Sequence, residues 1–516
     1  MSKLSNLLRL PESWPSPLIA PILLFAVVYV ILSKLVAGKK HLPPGPFGIP
    51  WVGEAFKIPA LHSYLYYTKL GAAYGDVYTV TALGQRIVVL NSYTAAFEVL
   101  GKRGSIHCDR PPNPFLTRFL GLEHMVALVN YGPDWKEGRR LYQTLLNKEV
   151  ARTNYAEDVG TQIHRFILRV IGLGVDKDNV IVDTMVHKVV LQSTYGVTTE
   201  ENDAILVAAI HSTNVASAGL TPGKHLVNTF PILQHLPAWI PFQSWRIEER
   251  KSRKWMDRVT NIPWHHMLDA EANGIAAESF ALGLFREQNP TNEHLTKVTG
   301  VTNLFAGVEP MMGVSRLFLL AMILHPDVQK KAQEELDRVV GHDRLPTIDD
   351  QASLPYLDAI VKEVIRWRPV APLSVPTAPT KDDTYKGYLI PQDAIVVQNS
   401  WAISRDEKMY PDADSFKPER WLVPNPPKDP RFWHFGIGRR VCPGAAYAEI
   451  VYATLFMKLL ATVDIVHARD ENGNEIFVDP SIPTTGRFAC IPETFSYSLK
   501  PRSDVAVSLL REALVA

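Results

Sequence analysis

The stretch FGIGRRVCPG, residues 435–444, carries the strongest signal in this sequence. Cys442 precedes an apolar-periodic segment, Gly444 to Val463, which is predicted to form a helix. A helix N-terminus and the neighbouring Arg439 and Arg440 would stabilise a thiolate at this position. A single thiolate with no second Cys or His nearby argues against structural zinc. Taken alone, however, one cysteine is more often a buried structural residue.

The spacing of this stretch decides between the two interpretations. The pattern F-x-x-G-x-R-x-C-x-G fixes five residues, and a chance match in a chain of this size is of order one in 10⁴. With this pattern the chain resembles the cytochrome P-450 family of haem-thiolate monooxygenases, and it is most similar to membrane-anchored fungal members. The resemblance implies haem b as cofactor with Cys442 as the thiolate ligand of its iron, and thiolate donation favours O–O cleavage. The cofactor-binding residues that this stretch supplies are Phe435, Gly438, Arg440, Cys442 and Gly444.

A tryptophan and an arginine upstream are expected to contact the haem propionates. Trp135 and Arg139 are four residues apart, which places them on one face of a helix. Such a pair on its own is more often a surface cation–π contact. The resemblance implies instead that both residues bind the propionates together with Arg440. Where many relatives carry His or Arg, this chain has Thr377, so one propionate contact is expected to be weaker or missing.

The E-x-x-R pair of the family is present as Glu363 and Arg366. Alone it means little, because chance produces E-x-x-R roughly once per several hundred residues. Its position before Cys442, with FKPERW at residues 416–421 in between, gives it weight. The resemblance implies that Arg420 joins this pair in a bidentate network that supports the haem-binding loop. We expect Glu363, Arg366 and Arg420 to be structural and not catalytic.

The segment AGVEP, residues 306–310, lies inside the apolar-periodic stretch Val298 to Leu324. A proline inside a helix removes one backbone donor and clashes with the carbonyl four residues earlier, at a cost of about 3 kcal/mol. The resemblance implies that this helix crosses the oxygen side of the haem, with the pattern A/G-G-x-D/E-T. Ala306, Gly307 and Glu309 fit that pattern, and Pro310 stands where threonine is expected. We predict a kink at this point, eased by the small residue at Ala306.

The threonine hydroxyl normally helps to deliver protons during oxygen activation, and proline lacks this hydroxyl. Three interpretations remain open. Glu309 carries the protons with ordered water or a substrate hydroxyl; or the enzyme uses peroxide or rearranges hydroperoxides; or the protein is a non-catalytic haem-based ligand-binding protein. Proton transfer by a placed group is worth roughly 10²–10⁴-fold in rate, so the substitution bears directly on function.

An apolar substrate cavity is expected from the family's lining segments. An apolar pocket suits a small hydrophobic metabolite such as a terpenoid, a fatty acyl or an aromatic compound. For each residue, ordinary core packing is the alternative interpretation. The candidate lining residues are Phe115, Phe119, Leu304, Phe305, Ala371, Leu373, Val375 and Phe488.

The bulk composition indicates an ordinary globular protein. Of 516 residues 46% are hydrophobic, and 54 Lys plus Arg against 53 Asp plus Glu give a net charge of +1, so no nucleic-acid partner is expected. The three cysteines are typical of a reducing compartment. There is no dinucleotide-binding or P-loop motif. A separate NADPH–cytochrome P-450 reductase is therefore expected to supply electrons from NADPH, with cytochrome b5 as a candidate further donor.

The N-terminal region differs in kind from the rest. Residues 18–37 form an apolar run with one charge, long enough to span a bilayer as a helix. A cleaved signal peptide would have a shorter apolar region and a small-residue cleavage site. We therefore predict a short segment at 1–17, a transmembrane anchor at 18–37, a basic, proline-rich hinge at 38–50 and a haem-thiolate catalytic domain at 51–516. This predicts a single span in the endoplasmic reticulum membrane with a cytosolic body.

The remaining patterns predict a mainly α-helical body with small β-sheets. Residues 76–90 alternate and contain a turn at 83–85, which indicates a hairpin. Further strands are predicted in 382–397 and at the C-terminus, around Phe477 and at 495–499. The predicted helices are 135–146, 153–171, 246–267, 298–324, 327–340 and 444–463.

Overall fold

The computed structural model describes residues 41–200, 203–241, 243–288 and 293–515. This part of the chain is mainly α-helical with small β-sheets, as predicted. The longer helices are α1 (Ser63–Tyr74), α2 (Pro133–Leu145), α3 (Ala156–Leu173), α4 (Val180–Tyr195), α5 (Ala204–Leu220), α6 (Ser244–Ala272), α7 (Phe280–Gln288), α8 (Glu293–Leu324), α9 (Pro326–Val339), α10 (Pro355–Trp367), α11 (Ala445–Thr462) and α12 (Asp504–Glu512). Short helical segments include Tyr93–Ala96, Lys148–Val150, Leu226–Thr229, Ser400–Ser404 and Arg431–His434.

The strands form three small sheets. The predicted hairpin consists of β1 (Val77–Ala82) and β2 (Gln85–Leu90), paired antiparallel, and β5 (Ala394–Gln398) adds to β2 in parallel. A second hairpin pairs β3 (Asp383–Tyr385) with β4 (Tyr388–Ile390). The third sheet pairs β6 (Val463–His467) with β7 (Tyr497–Pro501).

The C-terminal strand prediction was wrong in one detail. Phe477 lies in a loop, where its exposed ring stacks on His467 at 5.4 Å. The partner of β7 is the segment that directly follows α11, and Val463 pairs with Pro501 there. Strand β6 is short and directly follows the apolar helix α11, so its alternating pattern cannot be separated from the helical pattern in the sequence.

Helix α8 forms the centre of the body. Its 32 residues are apolar on all sides, and most of those from Thr296 to Ile323 are buried. Phe318 stacks on Phe456 of α11 at 3.7 Å, which fixes these two helices against each other. Pro310 lies inside α8, which continues to Leu324. The helix therefore runs without a break through the segment 306–310.

Two described helices, α8 and α11, are long and apolar enough to cross a membrane. The most apolar window of each is 72% and 78% buried within the body, which is typical of core helices. The predicted anchor at 18–37 and the first hinge residues, 38–40, lie outside the described residues. The described part of the hinge contacts the body, since the amide of Thr79 donates to the carbonyl oxygen of Pro44 at 2.8 Å.

Candidate active site

Cys442 lies in a closed loop just before a helix. Its amide donates to the carbonyl oxygen of Phe435 at 2.7 Å, which closes the loop. Helix α11 begins at Ala445, so the cysteine lies near a helix N-terminus, as the sequence predicted. Cys442 has exposed surface and lines the internal cavity described below, where the surrounding chain desolvates its thiol.

Two glycines give this loop its shape. Gly438 has a φ of +72°, and a Cβ on it would lie 2.0 Å from the carbonyl oxygen of Leu100, so no other residue fits there. Gly436 has a φ of +83° and lines the cavity, a role that the sequence did not single out. Gly444 also lines the cavity, and a Cβ on it would make only ordinary contacts.

The thiol of Cys442 is held in an environment that disfavours its charge. Burial raises the pKa of the thiol, whereas the amide of Gly444 and the guanidinium of Arg139 act to lower that pKa. The expected stabilisation by Arg439 and Arg440 was wrong, because Arg139 is the arginine that acts on this pKa, while Arg439 and Arg440 lie over aromatic rings at 5.0 Å. A coordinated metal would deprotonate the thiol outright.

An internal cavity of about 290 Å³ brings the predicted site segments together. The cysteine loop contributes Phe435, Gly436, Cys442 and Gly444 to its lining. Helix α8 contributes Phe305, Ala306, Gly307, Glu309 and Pro310. The two segments that the sequence singled out, far apart in the chain, therefore face one space.

Cationic side chains gather at this cavity without anionic partners. Arg440 donates to three main-chain carbonyl oxygens at 2.6–3.2 Å, and Arg110 donates to three others at 2.7–2.8 Å. Arg139 donates to the carbonyl oxygen of Val441 at 2.6 Å. Within the described ranges none of the three arginines pairs with a carboxylate. Burial lowers the pKa of Arg110 to about 9 and that of Arg440 to about 10, so both stay charged at neutral pH.

These residues fit a haem group. Buried cations are costly unless an anion balances them, and the two propionates of a haem would supply that charge. The hydroxyl of Thr377 is buried at the same cavity and has no partner in the described structure. Trp135 also lines the cavity, under the guanidinium groups of Arg139 and Arg440 at 5.8 and 5.0 Å. A sulfur ligand, three cations and mostly apolar walls match an iron porphyrin.

Glu309 is the acidic group on the α8 side of the cavity. Desolvation raises the pKa of its carboxyl to about 7, although Ser217 and Arg487 act to lower that pKa. Gly307 permits close packing, since a Cβ there would lie 3.1 Å from a methyl group of Val190. Pro310 offers neither a hydroxyl nor an amide hydrogen. Glu309 is therefore the group in this segment that can hold a proton.

Half of the candidate apolar residues line the cavity. Phe305, Ala371, Val375 and Phe488 line the cavity. Four other candidates do not. Phe115 stacks on His225 at 3.7 Å, Phe119 lies under the guanidinium of Arg246 at 5.2 Å, Leu304 is in the main core, and Leu373 packs beside the β1–β2 hairpin. These four residues pack elsewhere in the body.

The buried carboxylate of Glu363 joins two arginines away from the cavity. Arg366 donates to both of its oxygens at 2.8 and 2.9 Å, and Arg420 donates to one of them at 3.2 Å. The indole of Trp421 and the amide of Lys417 also donate to Glu363, at 3.2 and 2.8 Å. The three predicted network residues therefore meet, with two further donors from the FKPERW stretch.

Sequence reasoning missed several residues at the site. Arg110 stands before two prolines and belongs to no motif, so no spacing indicated it. Thr213 and Ser217 lie on α5, which reads as an ordinary apolar helix. His434 lines the cavity beside the cysteine loop, and burial lowers its pKa to about 4. Only the proximity of His434 to the cysteine stretch could have suggested it.

Comparison with known proteins agrees with this geometry. The family model described as Cytochrome P450 matches residues 43–483. Cytochrome P450 monooxygenase 208 of Postia placenta is 33% identical over 95% of this chain and 96% of that protein. Cytochrome P450 monooxygenase COX2 of Coprinopsis cinerea is 32% identical, over 94% of each chain. Cytochrome P450 monooxygenase claR of Ampulloclitocybe clavipes is 31% identical, over 96% of this chain and 92% of that protein.

All three relatives are fungal, in line with the resemblance drawn from the sequence. Members of this family hold haem through a cysteine thiolate, and Cys442 is the only cysteine that lines the cavity described above. The family typically receives its electrons from NADPH through a redox partner. The chain therefore belongs to the cytochrome P450 family and is a haem-dependent monooxygenase.

Proposed function

We propose that this enzyme inserts one atom of O₂ into a small hydrophobic metabolite, by hydroxylation- or epoxidation-type chemistry in secondary metabolism. The observation that carries the proposal is the cavity itself, where Phe305, Ala371, Val375 and Phe488 present apolar surface beside the cysteine loop. Apolar pockets with few polar groups select apolar molecules. Haem bound at Cys442 supplies the oxygen chemistry, and thiolate donation favours O–O cleavage.

The side chains of this protein have two proposed roles, which are to hold the cofactor and to hold and transfer one proton. Cys442 is the proposed iron ligand, and Arg110, Arg139 and Arg440 are the proposed partners of the propionates. Glu309 takes the place of the missing threonine, together with ordered water or a substrate hydroxyl. Its pKa of about 7 means that protonated and ionised forms coexist at neutral pH, which suits a proton-transfer group.

Electrons are proposed to come from a separate NADPH–cytochrome P-450 reductase, with cytochrome b5 as a further donor. The apolar run at 18–37 supports a membrane anchor, and we propose the endoplasmic reticulum with the body in the cytosol. Arg439 and Arg440 of the cysteine stretch are the cations to consider for a face that docks an acidic partner. Arg440 points inward to main-chain carbonyls, so only the exposed Arg439 stays available to an acidic partner.

A second candidate function is peroxide-driven or hydroperoxide-rearranging chemistry. The observation that favours it is Pro310, which removes the hydroxyl of the usual proton relay. Such an enzyme has no need for proton delivery, because the peroxide already carries the protons and electrons that O₂ lacks. A titrating Glu309 at the cavity favours the first function over this one.

Reconstitution tests the proposal. Membranes carrying the full chain, a fungal reductase and NADPH are supplied with a panel of terpenoid, fatty acyl and aromatic compounds, and oxygenated products are measured. We expect NADPH-dependent product from an apolar compound, and none from Cys442→Ala. Absence of NADPH-dependent product across the panel, with a normal carbon monoxide spectrum, would contradict the proposal.

A further inference from the structure

Two hydroxyl groups on α5 lack partners at the wall of the cavity. Thr213 and Ser217 line the cavity and are only 4% and 2% exposed. Neither hydroxyl completes a hydrogen bond within the described ranges, although that of Ser217 lies within reach of the carboxyl of Glu309. The two residues are four apart on one helix, which places their side chains on the same face, about 5–6 Å apart at Cβ. They therefore form a pair with unused donors and acceptors.

The unpaired state of these hydroxyls is unusual for a helix. Buried Ser and Thr side chains commonly donate to the carbonyl four residues earlier. Thr221, at the end of the same helix, does so to Ser217 at 2.9 Å, and Thr302 on α8 does so to Val298 at 2.7 Å. The rotamers of Thr213 and Ser217 forgo this bond. Since a buried hydroxyl without a partner is destabilising, their orientation requires an explanation.

A carboxyl group completes the cluster from the facing helix. Glu309 of α8 lines the same cavity, and Ser217 lies close enough to lower the pKa of its carboxyl without completing a hydrogen bond. The arginines proposed for the propionates belong to a separate set, built around the cysteine loop. The cavity thus holds two kinds of polar group, one cationic and one made of hydroxyls and an acid.

We propose that Thr213, Ser217 and Glu309 form a polar subsite that binds one neutral hydroxyl group of the substrate. The subsite rests on the proposed function and narrows its substrate class to an apolar skeleton that carries an alcohol. A hydroxyl donates one hydrogen bond and accepts others, so it can donate to Glu309 and accept from Thr213 and Ser217.

Charged groups fit the subsite less well than an alcohol. An anionic group would face Glu309 in its ionised form. A cationic amine would lie near the positive charge of Arg487, which already acts on Glu309. A hydrocarbon would leave the hydroxyl of Thr213 unpaired and that of Ser217 with only Glu309 beside it, and sites built for a hydroxyl discriminate strongly against the analogue that lacks it. A neutral alcohol satisfies all three side chains, because it both donates and accepts hydrogen bonds.

Paired imidazole probes test the subsite without turnover. The haem-loaded full-length protein is titrated with N-alkylimidazoles over a series of tail lengths, each ending either in a methyl or in a hydroxyl group. The imidazole nitrogen ligates the iron, and the shift of the haem absorption band gives the dissociation constant. At the length that reaches the subsite, we expect the hydroxyl probe to bind about tenfold more tightly than its methyl partner.

Variants identify the residues that produce this preference. The preference should disappear in Thr213→Val/Ser217→Ala and remain in Ser212→Ala, whose hydroxyl is equally buried and unpaired but does not line the cavity. A methyl probe that binds at least as tightly at every length would overturn the proposal, as would a preference unchanged in the double variant. Failure of the proposed function gives a different result: no NADPH-dependent product forms, while the preference for the hydroxyl probe remains.

Discussion

Replacing Glu309 with glutamine is predicted to change stability and activity in opposite directions. The carboxyl is largely buried, and desolvation is the main cause of its raised pKa. Glutamine keeps the shape and the hydrogen-bonding capacity of the protonated acid but cannot ionise. The variant therefore removes a charge that is costly in the folded state, and with it the group that we propose holds the proton.

The size of the stability effect follows from the pKa. The folded pKa is about 7 against an ordinary value of 4.5. At about 1.4 kcal/mol for each factor of ten in the ionisation equilibrium, ionised Glu309 costs the folded state about 3 kcal/mol. The direction of the pH dependence of stability is that of an acid whose pKa rises on folding. Between these two values the unfolded chain binds fewer protons than the folded one, so the stability decreases as the pH rises from 4.5 to 7.

Thermal denaturation at two pH values measures this effect. At about pH 8 Glu309→Gln should be more stable than the native protein by about 3 kcal/mol, and near pH 5 the difference should shrink to about 1 kcal/mol or less. Glu309→Asp serves as the control, because it retains an ionisable group and should retain the pH dependence. Equal stability of the native protein and Glu309→Gln at both pH values would refute the raised pKa.

The activity of the same variant should decrease. Loss of a placed proton-transfer group costs roughly 10²–10⁴-fold, so NADPH-driven turnover should drop by about 10²-fold or more. Native turnover should fall as the pH rises above about 7, since the protonated form of Glu309 is lost there. The variant should not show this decrease in turnover with pH. Turnover supported by peroxide should be spared. A variant with native NADPH-driven turnover would refute the proton-holding role.

Four further substitutions test the remaining parts of the site. Cys442→Ala should lose the thiolate signature of the carbon monoxide spectrum, whereas Cys490→Ala should keep it, because Cys490 does not line the cavity. Arg110→Met should retain haem less well in a competition assay with apomyoglobin, since one buried cation is lost. Glu363→Gln should lower stability in thermal denaturation by about 3–5 kcal/mol, because two arginines lose their buried counter-charge. Pro310→Thr should bind haem and carbon monoxide normally, and loss of haem would show that the proline is structural first.

The parts of the site that could be predicted are those encoded by local spacing. The cysteine stretch indicated a loop before a helix, and the apolar run at 298–324 indicated a buried helix that carries Glu309. In each case the chemistry lies within a few consecutive residues. Period and spacing report such arrangements directly.

The parts that could not be predicted depend on contacts between distant segments. Arg110 is held by carbonyl oxygens of Ala127, Val375 and Pro376, which come together only in the fold. Phe115 and Phe119 are buried, as apolar residues usually are, but pattern alone does not say which cavity or core an apolar side chain faces.

The hydroxyls of the polar subsite depend on side-chain rotamers. Thr213 and Ser217 could have bonded back to their own helix, as Thr221 does. No sequence pattern distinguishes these two states, because both have the same spacing on the same helix. The specificity of the cavity is therefore the feature that needed the structure most.

Incorporation of isotope-labelled O₂ tests the central claim most directly, namely that this enzyme activates O₂ without the threonine hydroxyl. Membranes with reductase, NADPH and labelled O₂ are compared with membranes given unlabelled peroxide alone, on the same apolar alcohols. The account predicts an NADPH-dependent product that carries one labelled oxygen atom, with Glu309 required for its formation. Product that forms only with peroxide, and carries no label from O₂, would contradict it.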